Sequence, residues 1–220
     1  MKTVIFDLDG TLADTSGDLL AAANFCFRDM GHGDVLDIFE DAGVAMRGAR
    51  HMLRHGLEKL EAYDPIMVDK YYPMLLDAYM RNIDSLTYLY PGAMEAVESL
   101  KIQGYNVGIC TNKPEGLAEM LLYNLGIRGE FASLVGAGTI PQVKPDPAPL
   151  LQAIVQAGGD PGQAILVGDT ITDHDTARAA GTYSVLVTFG PNGDDMAALQ
   201  PDALLHHFDH LPEIAVELIT

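Results

Sequence analysis

Seven polar residues stand where short apolar runs of this sequence stop. Asp7 and Asp9 close TVIFDLD (3–9), Thr111 and Asn112 close YNVGICTN (105–112), Asp169 and Asp173 follow AILVG, and Lys144 sits in the loop QVKPDP. Four carboxylates drawn together repel one another, so one of them holds a proton or the group binds a cation. An all-oxygen ligand set favours a hard ion such as Mg²⁺. A lysine, a hydroxyl and an amide cannot serve that ion; they suit an anion, most simply a phosphoryl group. A site that holds both is a site for phosphoryl transfer. Taken singly, each residue has a plainer reading. Asp169 and Asp173 are acids at a helix start, where the helix dipole favours them. Thr111 and Asn112 form an ordinary turn, and Lys144 before a proline is a solvated loop lysine. Their joint occurrence is what points to chemistry.

The elements that must position them are legible in outline. TVIFDLD, YNVGICTN, SLVGAG (133–138), AILVGD (164–169), YSVLVTF (183–189) and, more weakly, DALLHHF (202–208) are short and rich in Val, Ile, Leu or Phe. Strands buried on both faces of a parallel sheet read this way. Helical patterns lie between them, in AMEAVESLKIQG, EGLAEMLLYNLGI, PAPLLQAIVQAGG and DHDTARAAG. Several end in glycine, as helix C-termini prefer. The alternation predicts an α/β fold with a doubly wound, Rossmann-like parallel sheet and right-handed crossovers. Ligands of such sheets bind beyond the C-terminal strand ends, which is where the seven residues fall. Residues i and i+2 of a strand point the same way, so Asp7 and Asp9 can face one target.

Residues 15–85 interrupt the alternation with no convincing strand. They read as about four helices, through SGDLLAAANFCFRDMG, RGARHMLRHGLEKLEAY and VDKYYPMLLDAYMRNI. The expected organisation is therefore an α/β domain of residues 1–14 and 86–220 with a helical domain of residues 15–85 inserted after the first strand. The two linkers, near Thr11–Ser16 and Ser85–Pro91, are expected to let the inserted domain hinge.

Composition narrows the function classes. The formal net charge of −18 over 220 residues argues against nucleic acid and anionic membrane as partners. No stretch approaches the roughly 20 apolar residues of a membrane helix, and the start MKTVIFDLDG lacks the pattern of a secretion signal. A cytoplasmic protein is expected. Cys26 and Cys110 are too few and too far apart for a disulfide framework or a zinc site, and read as small buried hydrophobes.

DLDGTLADT, CTNKP, VKPDP and GDTITD together resemble the four ordered motifs of the haloacid dehalogenase-like (HAD) hydrolases, and the resemblance covers essentially the whole chain, with residues 15–85 as the helical cap. It implies that Asp7 is the nucleophile that forms an aspartyl-phosphate and that Asp9 is the general acid and base. Thr111 and the Asn112 backbone would hold the phosphoryl oxygens, and Lys144 would neutralise charge on the phosphoryl group and Asp7. The cofactor implied is Mg²⁺, held at Asp7, the Asp9 carbonyl and Asp169, with Asp173 behind them, acting through water or by orienting Lys144. CTNKP and KPDPAPLL are most similar to the phosphoglycolate phosphatase-like members, which implies a phosphomonoesterase acting on a small phosphorylated metabolite such as 2-phosphoglycolate, as a monomer or homodimer. Alternatives of the same fold are a sugar phosphomutase, a broad-specificity or pyrophosphate phosphatase, and a phosphate-binding protein without catalysis. The second acid, Asp9, argues against dehalogenation. Neither Lys59 nor Lys70 sits in a loop suited to the Schiff base of a phosphonate hydrolase.

The cap carries seven of the 13 basic residues, from Arg28 to Arg81. Arg47, Arg50 and Arg54 are spaced to line one helix face, beside an apolar stripe of Met46, Ala49, Leu53, Leu57 and Leu60. Arg47 and Arg50, with His51 nearby, are candidates to contact an anionic leaving group; the plainer reading is a solvated basic edge. His174 is expected to be a satisfied, partly buried histidine, and His206, His207 and His210 are given no role.

Overall fold

A computed structural model describes residues 1–219, the side chain of Asp194 apart. The strands in chain order are β1 (Thr3–Phe6), β2 (Ala13–Asp14), β3 (Tyr88–Leu89), β4 (Asn106–Pro114), β5 (Ser133–Ala137), β6 (Ala164–Gly168), β7 (Tyr183–Val187) and β8 (Ala203–Leu205). The α-helices are α1 (Ser16–Asp29), α2 (Ala42–Ala45), α3 (Ala49–Lys59), α4 (Pro65–Arg81), α5 (Ala93–Ile102), α6 (Glu115–Asn124), α7 (Ala148–Gln156), α8 (Ile171–Ala180) and α9 (Leu211–Leu218). The chain divides into two compact units, Met1–Ala13 with Leu89–Thr220, and Asp14–Tyr88.

The first unit is a parallel sheet in the order β5-β4-β1-β6-β7-β8. β1 lies at its centre, with Phe6 level with Ile109 of β4 on one side and Val167 of β6 on the other. All four residues of β1 and all five of β6 are buried, which is why these runs show no polar alternation. The strand order reverses beside β1, so the sheet is doubly wound and the crevice at the reversal lies at the ends of β1, β4 and β6. One core face is built from Ile5, Cys110, Val135, Leu150, Ile154 and Leu166. Both thiols are buried and free, and burial pushes that of Cys110 up to about 12.

One sequence expectation is corrected here. β4 does not stop at Asn112 but runs on to Pro114, with its register against β5 shifting between Cys110 and Pro114. The segment after DALLHHF, for which no element is expected above, forms α9 from LPEIAVEL, with Leu211 and Ala215 on its buried side. Two further strands, β2 and β3, have no signature in the sequence pattern, being two residues each; they pair with each other as a separate ribbon.

The second unit is helical in its interior, which is made by Leu20 and Phe27 of α1, Met52, Leu53 and Leu57 of α3, and Leu75 and Tyr79 of α4. Inside this unit Asp18 accepts the backbone N–H groups of Leu86 and Thr87 at 2.8–3.0 Å, tying the end of the helical segment back to its start. Arg47 does not share a helix with Arg50 and Arg54. Gly48, at φ 92°, occupies the left-handed region open to glycine and separates Arg47 from α3.

Candidate active site

The site begins where β1 and β6 end. The Asp7 N–H donates to the Val167 carbonyl at 2.8 Å, continuing the β1–β6 ladder by one bond, and the Leu8 N–H donates to Asp7 Oδ1 at 2.7 Å. The chain then turns, with Leu12 and Ala13 N–H groups both donating to the Leu8 carbonyl. One step after β6, Thr170 caps α8. Its hydroxyl donates to Asp173 Oδ2 at 2.6 Å, and the Thr170 and Asp169 N–H groups converge on the same oxygen. This reciprocal cap satisfies the first orphan donors of α8 and locks the Asp173 carboxylate. Gly168 makes the arrangement possible: a Cβ there would lie 2.3 Å from the Cβ of Asp173.

Lys144 arrives from the loop after β5. Its Nζ donates to Asp173 Oδ1 at 2.6 Å and lies 3.1 Å from Asp7 Oδ2, with its side chain only 2% exposed. The loop is held by Asn112, whose side-chain amide donates to the Lys144 carbonyl and whose side-chain oxygen accepts the Lys144 N–H, both at 2.9 Å. The Asn112 side chain thus works on the lysine loop, a use that the sequence does not announce. Thr111, two residues past the Ile109 that faces Phe6, is buried, and its hydroxyl accepts the Lys113 N–H at 3.1 Å.

Burial dominates the electrostatics. It raises the Asp7 carboxyl to about 6, with Asp173 and Asp9 pushing the same way and Lys144 opposing them. Asp169 is also raised well above the ordinary range, first by burial and then by Asp173 and Asp7. Burial alone would lower the Lys144 ammonium, but Asp173 and Asp7 overcome it and the lysine is raised. The Asp169 carboxylate accepts Thr11 Oγ1–H on Oδ1 at 3.1 Å, while its Oδ2 is buried with no partner. Ligand oxygens of Asp7, Asp169 and Asp173 lie within 4.8 Å of one another. An orphaned carboxylate oxygen beside two more acids, all of them hard donors, fits a divalent cation.

Two participants escape the sequence reading. Thr11 orients Asp169. Lys113, buried, places its ammonium 2.7 Å from Asp9 Oδ1. Strand alternation carries the signal for Lys113, since it stands two residues beyond Thr111 on a strand that continues to Pro114.

Arg47 and Arg50 belong to the helical unit, where with Arg54, His51, Tyr63 and Asp69 they line a cleft of about 400 Å³. Arg50 pairs with Asp69 and stacks over the Tyr72 ring at 4.3 Å. Arg54 pairs with Glu58 at 2.7 Å and lies over Tyr63. His174 is half-buried and shares a 3.1 Å hydrogen bond with the Ser184 hydroxyl, as a satisfied structural histidine should. His206 is bonded to Thr188 and His207 pairs with Asp209, so neither joins an acidic cluster.

A crevice that gathers an acid pair, a buried lysine and a cation-seeking carboxylate at the strand-order reversal defines a phosphoryl-transfer enzyme of the haloacid dehalogenase-like hydrolases, and the chain belongs to that family: its model matches residues 4–187. Within the family the chain is a phosphatase, similar along almost its whole length to proteins named phosphoglycolate phosphatase. The one from Mesorhizobium japonicum is 38% identical over 98% of this chain and 96% of its own length. That from Caulobacter vibrioides is 32% identical over 99% and 92%. A crystal structure described as a predicted phosphoglycolate phosphatase from Haemophilus somnus superposes with a TM-score of 0.86 at 28% identity, covering 97% of both chains. No helix among the described residues is long and apolar enough to cross a membrane.

Proposed function

We propose that the protein hydrolyses a small phosphorylated carboxylic acid, 2-phosphoglycolate before others, in the cytoplasm. The observation that carries the chemistry is the buried chain Asp7–Lys144–Asp173 beside the orphaned oxygen of Asp169. The names of the full-length relatives support the substrate. Asp7, ionised, attacks phosphorus; the bond to the leaving oxygen breaks, and Asp9 delivers a proton to that oxygen. The aspartyl-phosphate then loses its phosphoryl group to water, with Asp9 taking the water proton. Asp7 is regenerated and phosphate leaves. Lys144 holds the attacking carboxylate and opposes charge on the phosphoryl oxygens, at an angle fixed by Asp173 and Asn112. The Thr111 hydroxyl and the Asn112 backbone bind the phosphoryl oxygens. Asp7, the Asp9 carbonyl and Asp169 would hold Mg²⁺, which when bound supplies positive charge to the phosphoryl group. Asp173 supports it from behind, since its two oxygens are engaged by Lys144 and Thr170.

We assign the helical unit, Asp14–Tyr88, as the cap that selects the leaving group, with Arg47 and Arg50 offering contacts to an anion. The test is phosphate release, with and without Mg²⁺, from 2-phosphoglycolate, hexose phosphates, nucleotides and pyrophosphate, with Asp7→Asn as control. Preference for 2-phosphoglycolate, lost in the variant, is expected. Broad weak release would discard the substrate, and isomer interconversion without release would make the protein a mutase.

A further inference from the structure

Lys113 is used by nothing in the mechanism above, and its placement is costly. Its side chain is 3% exposed, and burying an ammonium is unfavourable by several kcal/mol unless an anion faces it, as an order of magnitude. The anion it meets is Asp9, at 2.7 Å, the residue that serves the leaving oxygen in the proposed function, on which this inference rests. The two buried lysines therefore divide the site. Lys144 stands on the side of the nucleophile Asp7, and Lys113 stands on the side of the leaving group.

Reach follows from covalent geometry. For proton delivery Asp9 must come within about 3 Å of the leaving oxygen. In an ester of a 2-hydroxy acid the carboxylate oxygens lie about 3 Å from that same oxygen, across two carbons. An ammonium in contact with Asp9 is then within reach of that carboxylate, whereas an ester with a neutral leaving group offers it nothing.

We propose that Lys113 is a specificity-determining residue of the α/β unit: its ammonium, held at Asp9, takes the carboxylate of the leaving group, so that the enzyme favours phosphate esters with an anionic group one carbon from the ester oxygen. The experiment compares kcat/KM for 2-phosphoglycolate and for ethyl phosphate in wild type, Lys113→Met, Lys113→Gln and Lys113→Arg, with folding checked by thermal melting. Wild type favours 2-phosphoglycolate. In both neutral variants the ratio of the two kcat/KM values falls at least about tenfold, mainly through a higher KM for 2-phosphoglycolate. Lys113→Arg, which keeps the positive charge, holds most of the ratio. A ratio that stays within about threefold of wild type in the neutral variants, while both substrates decline together, would overturn the proposal and leave Lys113 a support for Asp9 alone. A wild-type enzyme that does not separate the two esters would instead overturn the substrate reading, a result visible before any variant is made.

Discussion

Both units of the molecule gather cations, and they hold them in opposite ways. In the α/β unit Lys113 and Lys144 are almost wholly buried, the one 2.7 Å from Asp9 and the other 3.1 Å from Asp7. In the helical unit Arg50 and Arg54 remain about half exposed, lie over tyrosine rings and pair with surface acids. A buried pair cannot be broken without stranding a charge, whereas an exposed pair is replaced by water and salt at little loss. The difference teaches where each kind of cation is useful. In the proposed function the buried lysines fix geometry that must not vary during turnover, and the exposed arginines sort what arrives.

That contrast can be broken most forcefully at Asp173. Asp173→Asn removes the strongest partner of Lys144 and half of the α8 cap. The expected result is a loss of about 3 kcal/mol in stability and roughly 10²-fold in kcat, read by denaturant unfolding and steady-state kinetics. Full activity would show that Asp7 alone suffices to hold Lys144.

The next effect is a pH dependence. The Asp7 carboxyl is raised to about 6, chiefly by burial, and Asp169 is raised in the same direction. The folded, metal-free protein thus holds these protons more tightly than the unfolded chain does. The stability this contributes is present below the ordinary carboxyl range and is lost as pH climbs through about 6. A divalent cation takes the place of the protons, so the increase in Tm on adding Mg²⁺ should be small at about pH 5 and clearly larger at about pH 7.5. An increase that is the same at both would contradict the site's electrostatics.

The smallest effect belongs to the helical unit. Arg50→Ala should shift Tm by no more than about 1 °C, because its ion pair is exposed. It should raise KM for 2-phosphoglycolate severalfold more than for p-nitrophenyl phosphate. Equal effects on both substrates would leave the arginines a solvated edge.

Much of the α/β unit is legible in the sequence because its strands are buried on both faces: AILVG and YSVLV admit hardly any polar residue, and Asp169 stands just past the first of them. Asp7, Lys144 and Asp173, far apart in sequence, meet as strand-end logic expects. What stays hidden depends on local backbone detail. Lys113 escapes because the apolar run stops at Cys110 while the strand continues to Pro114, and Arg47 falls off the helix its spacing suggests because Gly48 interrupts the chain. Helix α9 is only eight residues long, with Pro212 in its first turn, although Leu211, Ile214, Ala215 and Leu218 do recur at helical spacing. The clamp of Asn112 on the Lys144 backbone joins residues 32 positions apart and has no local signature.

The central claim is that Asp7 carries the phosphoryl group. Acid-quenched enzyme that is turning over radiophosphorus-labelled 2-phosphoglycolate with Mg²⁺ should hold label that hydroxylamine releases, as an acyl phosphate does, and that maps to the peptide containing Asp7; Asp7→Asn should hold none. Phosphate release with no label on the wild-type protein at any quench time, or label that persists in Asp7→Asn, would contradict the account.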